Sequence, residues 1–440
     1  MQGDLARVLR LSDLLLIVVG TVIGSGIFLV PGNVLNSARG DVGVALLIWA
    51  LGGVLSLLGA LSFGELGAME PEAGGIYVYL RQAYGPLVAF LYGWAMFFVI
   101  GSGSIATLAV AFGTRYLPQL VNLGPVAGKT VAVVVIAAVA AVNVRGTRQG
   151  ATVQNWSTAI KVGALLLMSV ALLARGHGWG GEVRFLDTPL NGTLLAGAGV
   201  GMIGVLWAYE GWQYVTFSAG EAVNPQRTFP RGIVLGTLLV VGIYLLANVS
   251  YVAALGAEGV GTSKRVAADA LGRLFGTGWG SVITIPILIS ILGAANGLTL
   301  TTPRVFYAMA RDGLFFGKLA EVHPRFGTPA VAVIAGSAWA MVLAVSGTFE
   351  QLYTYVVLSS WIFFVLGAAA LFLYRRRRPD APRPFRTPGY PVTPALFILA
   401  AVAVVVNTLA AKPTQGAIEV AILATGVPAY FIWRRRSAAP

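Results

Sequence analysis

The sequence predicts an all-α integral membrane protein with twelve transmembrane helices. Three observations carry this expectation. Of 440 residues, 57% are hydrophobic and only 11% are charged, whereas soluble domains carry about 25% charged residues. Mean hydropathy is +0.80. The apolar residues gather into stretches near the ~20 residues that a helix needs to cross a bilayer.

The stretches centre on 12–35, 42–68, 85–117, 125–143, 152–174, 192–221, 230–256, 280–309, 328–346, 349–374, 393–411 and 416–433. The first contains Gly20-Thr21-Val22-Ile23-Gly24-Ser25-Gly26-Ile27-Phe28, placing two glycines around a serine in mid-run. Glycine lowers the cost of leaving helical geometry. Irregular backbone at membrane depth is tolerated only where protein buries it or a wet cavity faces it. The second stretch ends at Glu65 and Glu70, which read as gate or interface residues. The third, sixth and eighth are long enough to imply tilt or a short break. The fifth carries Lys161 about nine residues in. The sixth contains a second polar, glycine-containing centre, Trp207-Ala208-Tyr209-Glu210-Gly211-Trp212. The eighth carries Ser290 and Gly293-Ala294-Ala295-Asn296-Gly297, and the tenth Tyr353, Thr354, Tyr355, Ser359 and Ser360. Arg375 to Arg378 and a proline-rich run lie between the tenth and eleventh.

One transmembrane domain accounts for 1–440, because no polar segment is long enough to hold its own core. Breaks in the first and sixth of twelve helices match a five-plus-five inverted repeat, about 12–174 and 192–374, with two further helices at about 393–433. Close helix packing at small residues is the competing reading of either patch. Lys and Arg lie about two to one on the side carrying the N-terminus, which places both termini in the cytoplasm and the chain in the cell membrane. The first apolar run is too long for a cleavable signal.

Composition also excludes chemistry. There is no cysteine, so disulfides and thiolate metal sites are ruled out. His177 and His323 sit in polar connections. No metal, cofactor or nucleic acid is expected, although net charge is +13. An enzyme would need a nucleophile–base pair or paired carboxylates. A channel would show pore loops or charge rings. A broken helix instead offers free N–H groups at one end and free C=O groups at the other. These suit the carboxylate and ammonium of an α-amino acid. The candidate substrate-binding residues are Ile23, Gly24, Ser25, Gly26 and Ile27 on the first break, and Trp207, Ala208, Tyr209, Glu210 and Gly211 on the sixth.

A lysine at the centre of a span costs roughly 2.5–3.5 kcal/mol on insertion scales. Lys161 is therefore read as inward-facing and functional, in coupling or conformational change, with Ser290 and Asn296 as its candidate partners. Snorkelling of Lys161 and plain helix–helix hydrogen bonding at the other two are the competing readings.

These residues resemble a known family. The 20–28 and 207–212 motifs are similar to the first- and sixth-helix motifs of the amino acid–polyamine–organocation transporters, nearest the L-type amino-acid transporter branch and its bacterial relatives. Pro-Glu-Ala-Gly-Gly-Ile-Tyr at 71–77, Asn-Val-Arg-Gly at 143–146, Glu221, Asn224-Pro225 and Pro-Phe-Arg-Thr-Pro-Gly-Tyr-Pro at 384–391 fit as well. The resemblance runs from about 11 to 434. It implies a LeuT-type fold and sodium-independent transport, often by obligatory exchange, while Trp207 and the small residues of the first break lean towards a small or medium neutral amino acid. It implies carboxylate binding at Gly24, Ser25 and Gly26, and amine binding by carbonyls near Ile23 and Trp207. It implies that Trp207 closes over the substrate, and that Lys161 takes the place of a sodium ion and ties the first helix to the eighth. Glu210 stands where animal members usually have glycine. It either lines or titrates in the pocket, or turns into a polar helix contact. Proton symport and a cationic amino-acid or polyamine substrate stay open. The partners implied are the amino acid and the lipid bilayer, with no obligate protein partner.

Overall fold

In a computed structural model, residues 7–180 and 183–437 are described. The ends of the expected 1–440 domain, at 1–6 and 438–440, lie outside them. The described residues form helices and connections, with no strand beyond one isolated bridge between Leu9 and Ala222. Eleven helices are long and apolar enough to cross a membrane. The ninth expected helix, Ala330–Ser346, is apolar but only 17 residues long.

Both expected breaks are present. The first helix runs Leu11–Val22, leaves helical geometry at 23–25, and resumes as Gly26–Leu29 and Pro31–Ser37. The sixth runs Gly192–Ala208, turns at 209–211, and continues as the 3-10 helix Trp212–Glu221. Gly211 makes that turn with φ 135°, a backbone region closed to most side chains. The long third segment is not broken but loosened, by π turns at Met96–Ile100 and Phe112–Tyr116. Such turns widen a helix by one residue without ending it. The eighth segment divides at Pro303 into Thr277–Thr301 and Pro303–Arg311.

Burial sorts the helices. In the third, 83% of the apolar window is buried inside the protein, against 22% in the eleventh, Val392–Ala411. The first and eighth follow the third at 72% each, while the fourth, eleventh and twelfth lie at the rim. The first helix packs against the fifth (Thr147–Arg175), the seventh (Pro225–Thr262), the eighth and the 3-10 half of the sixth. The two breaks therefore meet in the most buried part of the molecule.

Candidate functional site

The breaks approach each other through glycine. A Cβ on Gly26 would lie 2.6 Å from Ala208 Cα, and one on Gly211 would lie 2.8 Å from Thr21 C. Thr21 Oγ1 reaches the Gly211 carbonyl at 3.0 Å. The Tyr244 hydroxyl, from the seventh helix, lies 3.0 Å from both Val22 O and Ala208 O. One phenol thus holds the carbonyl ends of both interrupted helices.

Beside this junction is a small cavity of about 20 Å³, lined by Thr21, Val22, Gly24, Ser25, Gly26, Ser104, Leu108, Trp207, Glu210, Tyr214 and Leu298. That volume is close to one water molecule. Of the residues expected from sequence, Gly24, Ser25, Gly26, Trp207 and Glu210 come together at its wall. Ile23, Ile27, Ala208, Tyr209 and Gly211 do not line it. Tyr209 turns into an aromatic cluster with Trp49 and Tyr244. Ser104, Leu108, Tyr214 and Leu298 are wall residues that sequence reasoning missed. Only Ser104 had a signal, the small polar run Gly101-Ser102-Gly103-Ser104 within the third segment.

Polar groups at the first break are arranged for an anion. Among the described residues, the amides of Ser25, Gly26 and Ile27 donate to no backbone or side-chain acceptor. The buried Ser25 hydroxyl has no protein partner and faces the cavity. Buried donors without partners are costly, and four together can serve an acceptor ligand. Glu210 does both things that its sequence left open. It lines the cavity, and its Oε1 accepts from Gln213 Nε2 and, at 3.2 Å, from Ser360 Oγ of the tenth helix, Phe349–Arg377.

Lys161 is buried and points inward. Its Nζ donates to Gly20 O at 2.8 Å, Ile23 O at 2.7 Å and Ser290 O at 2.9 Å. Three acceptors match the three donors of an ammonium. Ser290 Oγ also donates to Ile23 O, at 3.0 Å. The Ile23 carbonyl, expected to meet an amine, already accepts two hydrogen bonds from protein. Asn296 lies elsewhere. It donates to Gly150 O at 2.9 Å and accepts from Asn143 Nδ2 at 2.9 Å, linking the fourth, fifth and eighth helices.

Both approaches to the cavity are shut. On the face carrying the N-terminus, Arg304 donates to both carboxylate oxygens of Glu221, at 2.9 and 3.2 Å, and to Thr147 Oγ1 at 2.9 Å. The amides of Val8 and Leu9 both donate to Glu221 O. Nearby, Glu65 accepts from Arg375 at 2.9 and 2.7 Å, and Glu70 from Arg378 at 2.6 Å. On the opposite side, Trp207 stacks on Tyr353 with centroids 5.9 Å apart and meets Phe349 edge-on. Among the described residues no group of three His, Asp or Glu could hold a metal ion.

The geometry agrees with what the chain resembles. A family model described as amino acid permease matches residues 9–429. The chain is 32% identical to the serine/threonine exchanger SteT of Bacillus subtilis (strain 168), over 99% of both chains. It is 34% identical to b(0,+)-type amino acid transporter 1 of Homo sapiens, over 98% of this chain and 88% of that one. It is 33% identical to the human cystine/glutamate transporter, over 95% of this chain and 83% of that one.

Proposed function

The chain belongs to the amino acid permease family, and from that premise we propose that it exchanges amino acids across the cell membrane by alternating access, without sodium. The relatives above include a protein named for serine/threonine exchange and transporters named for amino acids. The observation that carries the reading is the meeting of two helix breaks at one small cavity, with free amides and an unpartnered Ser25 hydroxyl beside it.

The finer architecture is part of the proposal. Counting Ala330–Ser346 as a span gives twelve helices and puts both termini on one side, which the excess of Lys and Arg there assigns to the cytoplasm. Residues 12–174 and 192–374 then form two inverted repeats of a LeuT-type domain, with the helices at 393–433 outside them. The breaks fall at the first helix of each repeat, as such a fold requires.

In this reading the substrate carboxylate accepts from the amides of Ser25 to Ile27 and from Ser25 Oγ. A partial positive charge at the start of the second half-helix adds to the attraction. Since Lys161 and Ser290 fill the Ile23 carbonyl and Gly24 and Tyr244 fill that of Val22, the ammonium goes to the cavity edge at Thr21 and Trp207. Lys161 fixes the break against the eighth helix with a resident cation, where a bound metal ion would otherwise be needed. Trp207 with Tyr353 closes one side, and Arg304 with Glu221 the other. The cavity is too small for an amino acid, so the bundle opens on one side before substrate enters. Ser104, Leu108 and Leu298 bound the space left for its side chain, which favours small neutral substrates.

The test is uptake of labelled amino acids into proteoliposomes loaded with or without unlabelled ones. Exchange predicts uptake only when internal amino acid is present, and no response to sodium. Accumulation driven by a pH gradient alone would support proton symport instead, the reading that Glu210 in the cavity wall favours. Uptake confined to lysine, arginine or polyamines would move the substrate class to cations. Competition by an amine lacking the carboxylate would refute the anion role of the Ser25–Ile27 amides.

A further inference from the structure

Glu419 lies on the last helix, Pro413–Ser437, outside the cavity and both broken helices. Six residues separate it from Pro413, about 9 Å along the axis, so it sits within the apolar length of the helix. Its side chain is fully buried. Ser359 Oγ of the tenth helix donates to its Oε1, and its Oε2 has no protein partner. The next residue, Ser360, donates to Glu210 at 3.2 Å. Consecutive helical residues point about 100° apart. The tenth helix therefore offers one hydroxyl to each of two buried carboxyls, on two of its faces.

Among the described residues, no cation pairs with Glu419. Its helix packs on the third, tenth and eleventh helices. The eleventh has no charged residue, and the third has only Arg115, which pairs with Glu350. Tyr355 of the tenth is the titratable group that faces it. Lys412, in the preceding turn, reaches Thr354 Oγ1 at 3.3 Å, while Arg375 to Arg377 lie at the far end of the tenth helix. Around Glu210 the facing groups are the phenols of Tyr92 and Tyr214, with Gln213 and Ser360. An isolated carboxylate in such surroundings is far costlier than the neutral acid.

We propose that Glu419 is a proton-binding site, protonated in this closed state and linked through Ser359 and Ser360 to Glu210 in the cavity wall, so that its release and uptake of a proton make transport depend on pH. The proton exchanges with water. A separate, mostly apolar cavity of about 260 Å³ is lined by Gln351, Tyr355, Ile418 and Ile422 among others; Glu419 is off its wall, so water reaches the carboxyl only when the tenth and last helices part. Ile418 and Ile422 flank Glu419 on its own helix. When Glu419 ionises, its charge draws on the Ser359 hydroxyl and shifts the tenth helix, which carries both Ser360 and the Tyr353 lid.

The transport consequence rests on the exchanger reading; the protonation does not. Infrared spectra of the full-length protein in lipid nanodiscs, recorded from neutral to alkaline pH, test the site directly. Buried protonated-carboxyl absorption is expected in the unmodified protein, with the share belonging to Glu419 lost in Glu419→Gln while that of Glu210 stays, retained in Glu419→Asp, and moved in frequency in Ser359→Ala. Identical bands in the unmodified protein and Glu419→Gln overturn the proposal. If Glu419→Gln does not fold, an unmoved band in Ser359→Ala overturns it. In proteoliposomes, Glu419→Gln is expected to keep uptake of labelled L-serine at acidic pH and to flatten its pH profile. An unchanged profile overturns the link to transport. If no amino acid is exchanged, the exchanger reading fails, and the infrared result still decides the site.

Discussion

Replacing Lys161 with alanine removes a cation that holds the first break. Its ammonium donates to three carbonyls within 2.9 Å, two on the first helix and one on the eighth. Hydrogen bonds involving a charged group contribute about 1.5–3 kcal/mol each. Three on a single nitrogen do not add in full, so about 4 kcal/mol is a working figure for the set. At about 1.4 kcal/mol per tenfold, the correctly held break becomes roughly a hundred- to a thousandfold rarer. The variant also leaves the Gly20 and Ser290 carbonyls without that donor, while Ile23 keeps only Ser290 Oγ. Insertion should survive, because removing a buried charge favours the membrane. The assay is counterflow of labelled amino acid at matched protein density, with size-exclusion chromatography as the folding control. Exchange should fall by the stated factor. A rate within about threefold of the unmodified protein, below about 0.7 kcal/mol, refutes the tie between Lys161 and the working shape of the break.

Three further outcomes follow from the same geometry. Gly26→Ala places a methyl 2.6 Å from Ala208 Cα and should abolish exchange and lower Tm, while Gly163→Ala, with open space around it, should do neither; equal behaviour of the two refutes the close contact. Tyr244→Phe removes a hydroxyl shared by Val22 O and Ala208 O, a loss of about 1–3 kcal/mol, and should slow exchange severalfold or more with the aromatic packing intact; unchanged kinetics would show that the hydroxyl is dispensable. Asp41 gives a pH signature outside the spans. Burial alone would raise its pKa, but amides of Val44, Leu186 and Thr188 outweigh that and lower it from 3.8 to about 2. Its stabilisation, about 2 kcal/mol, is fully present above the unfolded pKa and lost as pH falls through the folded one. Asp41→Asn should therefore lower Tm at neutral pH, with the gap closing as pH drops from about 4 to about 2; a gap that stays constant over that range contradicts the assignment.

The backbone part of the site was legible because it violates an expectation. Glycine, serine and glutamate in apolar helices are conspicuous at 24–26 and 210, and so is Lys161. The side-chain walls were not. Leu108 and Leu298 are ordinary residues for a buried helix, and only tertiary packing turns them toward the cavity. Tyr244 had no anomaly of type or position, yet it joins both breaks. Ser290 and Asn296 looked like one cluster along the eighth helix. Six residues rotate a helix by roughly 600°, or 240° net, so Ser290 faces the first helix while Asn296 faces Asn143 and Gly150. The loosened third helix was also hidden, because π turns need no proline or glycine signature.

The near-contact of Gly26 with Ala208 bears on how selectivity can be re-engineered. Where the two broken helices meet, the proposed recognition surface is main chain, and neither Gly26 nor Gly211 has room for a side chain. Libraries that randomise the breaks should yield mostly inactive proteins. Variants with altered substrate choice should come from Ser104, Leu108 and Leu298, on the third and eighth helices, where cavity shape is written in replaceable side chains.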